Sequence, residues 1–421
     1  MSDESVRPNR IGDTWNESRR LRDELTGRWV TRLTTRGIIN QTPTYHTNSG
    51  FTADGRYLVF ASVRGGVTWI IRADVTTGQL EAIWRAPGVG DRNYVHRGMA
   101  LDGTTERTSP RYRAPALDGG GVCGNRVCVA PRSALAIFTC QRAIHTVDIG
   151  TCERRVLLAD CGQDWIFGAP CVSPDERHVV IALNSAHPQI LAGEKVTRGY
   201  TSYPDHRLRI IRVPIDGSQR VDALYEHQPA QSAHCAFCPT DGELLYFDLD
   251  RPPRYWGGGD GKTPRAWILN LETRQAKSLR PETDPLFETH TAWLWDGSAL
   301  CYHGGRSGQG EATGVIRPSG ELLWERSWPE ARYYGHNTPD ARRPALIIDG
   351  FFSRDLLHWL HYDEPARREP KLKPICVHGT EWASVPGQYS HPHPLTDASG
   401  RWISFTTAQR GRSDVCVVEI E

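Results

Sequence analysis

Long apolar runs are missing from these 421 residues. No stretch approaches the roughly 18 to 20 apolar residues that span a bilayer, which argues against a membrane partner. Charge of one sign is missing too: Lys and Arg number 50 against 49 Asp and Glu, a formal charge of +1. Without a basic excess or a basic run there is no electrostatic footprint for nucleic acid. The opening MSDESVRPNR has no apolar core and so does not read as a secretory leader, and a cytoplasmic protein is expected. Methionine is scarce, at two residues, whereas Gly reaches 40, Pro 28 and Trp 14. Such a mixture suits many short strands and tight turns rather than helices.

The eleven cysteines, spread from Cys123 to Cys416, are odd in number, and free thiols in a reducing compartment are expected. Cys235 and Cys238 have C-x-x-C spacing, but HCAFCP reads as a strand. Residues three apart on a strand face opposite ways, so buried structural cysteines are expected there rather than a metal or redox pair.

What is present is a repeat. The phrase GFTADGRYLVF from Gly50 returns as CVSPDERHVVIAL from Cys171, CAFCPTDGELLYF from Cys235 and AWLWDGSALCYH from Ala292. Weaker copies start at Val127, His336 and His393, which makes seven. Each joins an apolar approach to an alternating strand through turn chemistry, usually Asp with Gly or Pro. Between copies lie further hairpins such as TWIIRADVTTGQLEAIW and LRIIRVPIDGSQRVDALY. Two hairpins per period give four antiparallel strands, repeated seven times: an all-β, seven-bladed β-propeller. The expected organisation is an N-terminal extension over 1–28 and one propeller over 29–421. Within the extension, Trp15 to Thr26 is expected as a short helix, and Trp29 to Leu33 as a strand that closes the ring on the last blade. Pro87 to Gly121, Ala186 to Pro204 and Arg251 to Lys262 read as long loop inserts.

Chemistry is carried by histidine. Four of the sixteen stand where a blade's innermost strand begins: His234, His290, His336 and His391. Equivalent positions in consecutive blades surround the central channel, so these rings converge although they lie far apart in the chain. The sharpest local pattern is Gln388-Tyr389-Ser390-His391-Pro392-His393-Pro394. On an extended segment, H-x-H puts both imidazoles on one side, and the prolines stiffen the backbone. With Gln388 and His290 added, the set offers three imidazoles and an amide oxygen with no negative charge. That set suits a borderline divalent cation with positions left open for a substrate oxygen. His303 and His178 read as polar groups at strand ends, and His358, His361 and His378 carry no pattern. GGGDGK lacks phosphate-loop spacing, GGGVCG precedes a strand rather than a helix, and no GxSxG or HExxH occurs.

At these residues the chain resembles the oligogalacturonate lyase family of seven-bladed propeller polysaccharide lyases. The resemblance runs from about Trp29 to the C-terminus. It is strongest at SAHCAFCPTDGELLYF, THTAWLWDGSALCYHGG, GHNTPDARRPALIIDG and QYSHPHP. It implies manganese held by His290, Gln388, His391 and His393, with His234 as a general base. It also implies a substrate-holding arginine on the preceding strand pair, Arg209 or else Arg212. His336 or Tyr203 is the expected contact for the leaving oxygen. Where related lyases carry a further histidine at the end of the next strand, this chain reads Asp248-Leu249-Asp250. The implied reaction is β-elimination on a uronic-acid-containing oligosaccharide, giving a 4,5-unsaturated product. An isomerase or hydrolase acting on another sugar acid, and a non-enzymatic interaction scaffold, are the competing expectations.

Overall fold

The computed structural model describes residues 8–41, 46–64, 67–86, 127–140, 142–162, 164–185, 207–230, 232, 234–249, 264–281, 286–306, 310–333, 335–362, 371–382, 384 and 390–421. The bulk of the three inserts, the GGGVCG and GGGDGK motifs, Tyr203 and Gln388 lie outside these residues. Seven antiparallel sheets follow one another along the chain. They form a seven-bladed β-propeller, and no α-helix occurs among the described residues. No helix among them is long and apolar enough to cross a membrane.

Blade 4 shows how the sequence builds a blade. Cys235–Cys238, Asp241–Asp248, Ala266–Asn270 and Gln275–Ser278 pair in that order from the channel outward. Alternate residues face opposite neighbours, as the period of a strand requires. Cys235, Phe237, Leu245 and Phe247 pack toward blade 3, whereas Ala236, Cys238 and Tyr246 pack toward blade 5. The two cysteines thus point apart, as their spacing predicts. Burial is the main cause that pushes the Cys128, Cys301 and Cys416 thiols up to about 12, which disfavours thiolate chemistry at these three.

Every copy of the repeated phrase is the turn between the first and second strands of a blade. Its Asp accepts hydrogen bonds from backbone amides beyond it: Asp54 from Arg56 at 3.0 Å, Asp241 from Glu243 at 2.8 Å, Asp340 from Arg342 at 2.8 Å. The copy at Val127 has no Asp. There, Glu176 of the adjacent blade supplies the carboxylate, 2.9 Å from the Arg132 amide and 2.7 Å from that of Ser133.

The ring closes as expected. Trp29–Arg32 pairs with Arg412–Glu419, setting Val30 opposite Val418, and becomes the fourth strand of blade 7. The expected helix is not formed. Thr14–Asn16 instead pairs with Gln79–Arg85 as a fifth strand of blade 1, and Arg19–Arg22 pairs with Trp29–Arg32 as a fifth strand of blade 7. The segment has no continuous apolar face to bury as a helix, whereas two open strand edges lie within reach of its backbone. One cysteine also departs from expectation. Nine are free thiols, but Cys140 is in a disulfide whose partner lies outside the described residues.

Candidate metal centre and general base

First and second strands of a blade are antiparallel, so the start of the first and the end of the second lie at the same mouth of the channel. This geometry links residues thirteen or fourteen apart in three consecutive blades. In blade 4, His234 Nδ1 is 3.0 Å from Asp248 Oδ2. In blade 6, His336 Nδ1 is 3.0 Å from Asp349 Oδ2. In blade 5 the partner is a histidine: His290 Nδ1 bonds His303 Nε2, and His303 Nδ1 lies 2.6 Å from Glu311 Oε1. Carboxylate oxygens accept, so the proton sits on Nδ1 of His234, His303 and His336. His303 then accepts from His290 in turn. In the neutral ring of each leading histidine this leaves the lone pair on Nε2, the form that binds a metal or takes a proton.

The rings meet in one buried cluster. His290 and His336 have centroids 4.5 Å apart, His336 and His393 4.2 Å, and His391 and His393 5.6 Å. Donor atoms of His336, His391 and His393 all fall within 4.8 Å of one another. His336 Nε2 and His393 Nε2 stand 3.2 Å apart. Nitrogens about 2.1 Å from a shared ion stand roughly 3.0 to 3.4 Å apart for angles between a right angle and tetrahedral. The spacing therefore fits two ligands of one cation. Asp349 holds the His336 ring and the backbone at His393, because its Oδ2 also accepts the His393 amide at 2.9 Å.

Burial favours the neutral form of three of these rings, the form that ligation requires. Burial, with His336 and His391 adding repulsion, holds the His393 imidazole well below its usual range. Burial and the neighbouring His336 and His303 do the same to His290, and burial lowers His391. Two of these residues occupy left-handed backbone, His290 at φ 47° and His393 at φ 45°. His290 lies in a bulge, where the register slips between Thr289 and Ala292. Such conformations are uncommon outside glycine, and they aim these two rings at the channel rather than along the ladder.

Of the expected site residues, the structure brings His234, His290, His336, His391 and His393 together, with His336 rather than His290 in the tightest ligating group. The expected arginines stay out of it. Arg209 is held by Glu226 at 2.6 Å and stacks over Trp165 on the side of blade 3 that faces blade 2. Arg212, three residues further down the strand, pairs with Asp222 at 2.8 Å. The arginine that does reach the cluster is Arg265. It is 8% exposed, donates from Nη2 to Asp248 at 2.7 Å, and donates from Nη1 to Thr289 Oγ1 at 2.9 Å.

Two histidines passed over in the sequence also belong to the cluster. His303 backs His290. His46, on the innermost segment of blade 1, lies 4.8 Å from His234 and 5.3 Å from His290 between ring centroids. The signal for His46 was available, since TYHTNSGFTADG places a histidine ahead of the first repeat copy as SAHCAFCPTDG does ahead of the fourth.

Fold and site together define a seven-bladed propeller with a buried imidazole cage at one mouth of its channel. Among solved structures, the oligogalacturonate lyase of Vibrio parahaemolyticus is similar over 98% of this chain and 99% of its own, with a TM-score of 0.73 and 18% identity. An oligogalacturonate lyase in complex with manganese is similar over 98% of both chains, with a TM-score of 0.72 and 18% identity. At that identity the likeness is one of fold. No family model and no curated protein matches the chain.

Proposed function

We propose that the protein is a divalent-metal-dependent lyase that cleaves uronic-acid-containing oligosaccharides by β-elimination. One observation carries this reading. A ligating group, His336, His391 and His393, lies in the same cluster as a second carboxylate-backed imidazole, His234, that is not part of the group. The division matches the two needs of the reaction, an electrophile for the uronate carboxylate and a base for the adjacent proton. His336, His391 and His393 would hold the ion, with His290, whose ring lies beside that of His336, and Gln388 as further ligands. When bound, the ion supplies Lewis-acid stabilisation of the charge that develops on the carboxylate. Manganese is the proposed metal, in keeping with the manganese complex of the similar lyase.

His234 Nε2 takes the proton from C5. The C5–H electron pair becomes the C4–C5 double bond, and the C4–O4 bond breaks with its electrons leaving on oxygen. Arg265 takes the place of Arg209 and Arg212 in this reading, as the buried cation beside the base. His336 moves from substrate contact to ligand.

The test is a panel of uronate oligosaccharides followed by ultraviolet absorbance, with and without chelator. Elimination conjugates the new double bond with the carboxylate and raises the absorbance, and chelation abolishes the rise. A hydrolase or isomerase gives product with no such rise. A scaffold gives neither product nor stoichiometric metal, and either result overturns the reading.

A further inference from the structure

We propose that Asp248, locked in place by Arg265 and Ser232, is a positioning residue for His234 that presets its tautomer and stabilises the imidazolium formed on proton transfer. The inference rests on the lyase reading for its kinetic consequences, but not for its structural core.

Asp248 is fully buried at the end of Asp241–Asp248 and accepts four hydrogen bonds from described residues. Its Oδ1 accepts from the His234 amide at 2.8 Å and from Ser232 Oγ at 2.7 Å. Its Oδ2 accepts from His234 Nδ1 at 3.0 Å and from Arg265 Nη2 at 2.7 Å. Backbone and ring of one histidine are thus gripped by one carboxylate, leaving the imidazole a single orientation. Arg265 is itself anchored: its amide and that of Ala266 donate to Glu288 Oε1 at 2.8 and 2.9 Å. Its second nitrogen reaches Thr289, the residue before His290. The guanidinium therefore ties the base in blade 4 to the cage in blade 5.

A carboxylate on Nδ1–H leaves Nε2 unprotonated at rest. When Nε2 gains a proton, the ring becomes a cation facing a buried anion. The logic is that of a serine-protease Asp behind its histidine, with the carboxylate orienting and stabilising but never itself taking the proton. Arg265 balances Asp248 at rest, so the buried pair carries no net charge until the proton arrives.

Asp248→Asn keeps the shape and removes the charge. With substrate, kcat should fall at least about 10²-fold with KM and metal content unchanged. The acid limb of the kcat/KM profile should move to lower pH, because an imidazole without its carboxylate protonates less readily. Histidine-selective ¹⁵N spectra read the tautomer without any substrate. His234 should be protonated on Nδ1 in the wild type, and should lose that preference in Asp248→Asn. Should Asp248→Asn fail to fold, Ser232→Ala, which removes one of the four contacts, should give the same changes in smaller measure. A wild-type His234 protonated on Nε2, or an unmoved profile and kcat in a folded variant, overturns the proposal. If no uronate is cleaved but the tautomer changes as stated, the lyase reading fails and the positioning role stands.

Discussion

His336 and His393 face each other through their Nε2 atoms at 3.2 Å, one ring from blade 6 and one from blade 7, and Asp349 holds the first by its ring and the second by its backbone amide. The His336 ring cannot turn away without breaking its bond to that carboxylate, and the backbone that carries the His393 ring is pinned by the same group. The pair is therefore set before any ion arrives, and metal affinity should depend on Asp349 as well as on the rings.

His393→Ala and His391→Ala should each lose the metal and the activity together. Unfolding midpoints should stay close to wild type, because the rings project from segments whose strands pair without them. Asp349→Asn should weaken metal binding by roughly 10- to 100-fold, the usual effect of removing a carboxylate behind a ligating histidine. Elemental analysis and chelator titration read both effects. Full metal content in His393→Ala would remove that residue from the ligand set.

His234→Ala should reduce turnover by roughly 10²-fold or more with metal content unchanged, the scale of a positioned base. His303→Ala separates the two functions in the other direction, because it removes the partner of His290 and leaves His234 untouched. Its loss should appear in metal affinity first. Near wild-type turnover in His234→Ala would move the base elsewhere in the cluster.

Asp414 makes stability depend on pH. Burial pushes its carboxyl up to about 6, despite the opposing pull of Arg412 and Arg32, against an ordinary value of 3.8. The folded state thus favours the protonated form. Its contribution is fully present below the ordinary value and is lost as pH rises to about 6. Relative to Asp414→Asn, the wild type should lose up to about 3 kcal/mol between pH 3 and pH 7. Urea midpoints across that range measure it, and parallel curves for the two proteins would contradict it.

Glu17 and Arg64 form an ion pair whose side chains are 3% and 2% exposed, joining the N-terminal segment to blade 1. Glu17→Ala leaves the guanidinium buried without its carboxylate and should cost about 3 to 5 kcal/mol. Adding Arg64→Met should restore much of that loss, since the apolar replacement needs no partner. A Glu17→Ala midpoint equal to wild type would show that Asn40 and Ser62, which also bond Arg64, suffice.

The fold was legible because it is written as a repeat, in which each copy carries its own turn carboxylate and its own alternating strand. The site was legible to the extent that it follows the same frame. His234, His290, His336 and His391 were found by their places ahead of the repeated turns. Their partners were not, because Asp248, His303 and Asp349 lie on or just beyond the second strands, where nothing local marks a polar residue that turns toward a neighbouring ring. Arg265 was missed for a related reason. It begins a third strand directly after an insert, and nothing local marks a guanidinium that turns inward. Arg209 failed by alternation: position along the strand put it near the right mouth, but its side faces blade 2. The helix expected over Trp15 to Thr26 lost to strand edges that belong to residues far away in the chain.

Ring closure by Trp29–Arg32 has a consequence for the order of events during synthesis. Blades 1 to 6 are each made from neighbouring stretches of chain and can form as they emerge from the ribosome. Blade 7 cannot, because its fourth strand precedes blade 1 in the chain and its partner, Arg412–Glu419, follows blade 6. The seam between blades 7 and 1 also runs through the cage, with His391 and His393 on one bank and His46 on the other. The closing of the ring and the completion of the histidine cluster are therefore coupled, since both wait for the strands of blade 7 to meet.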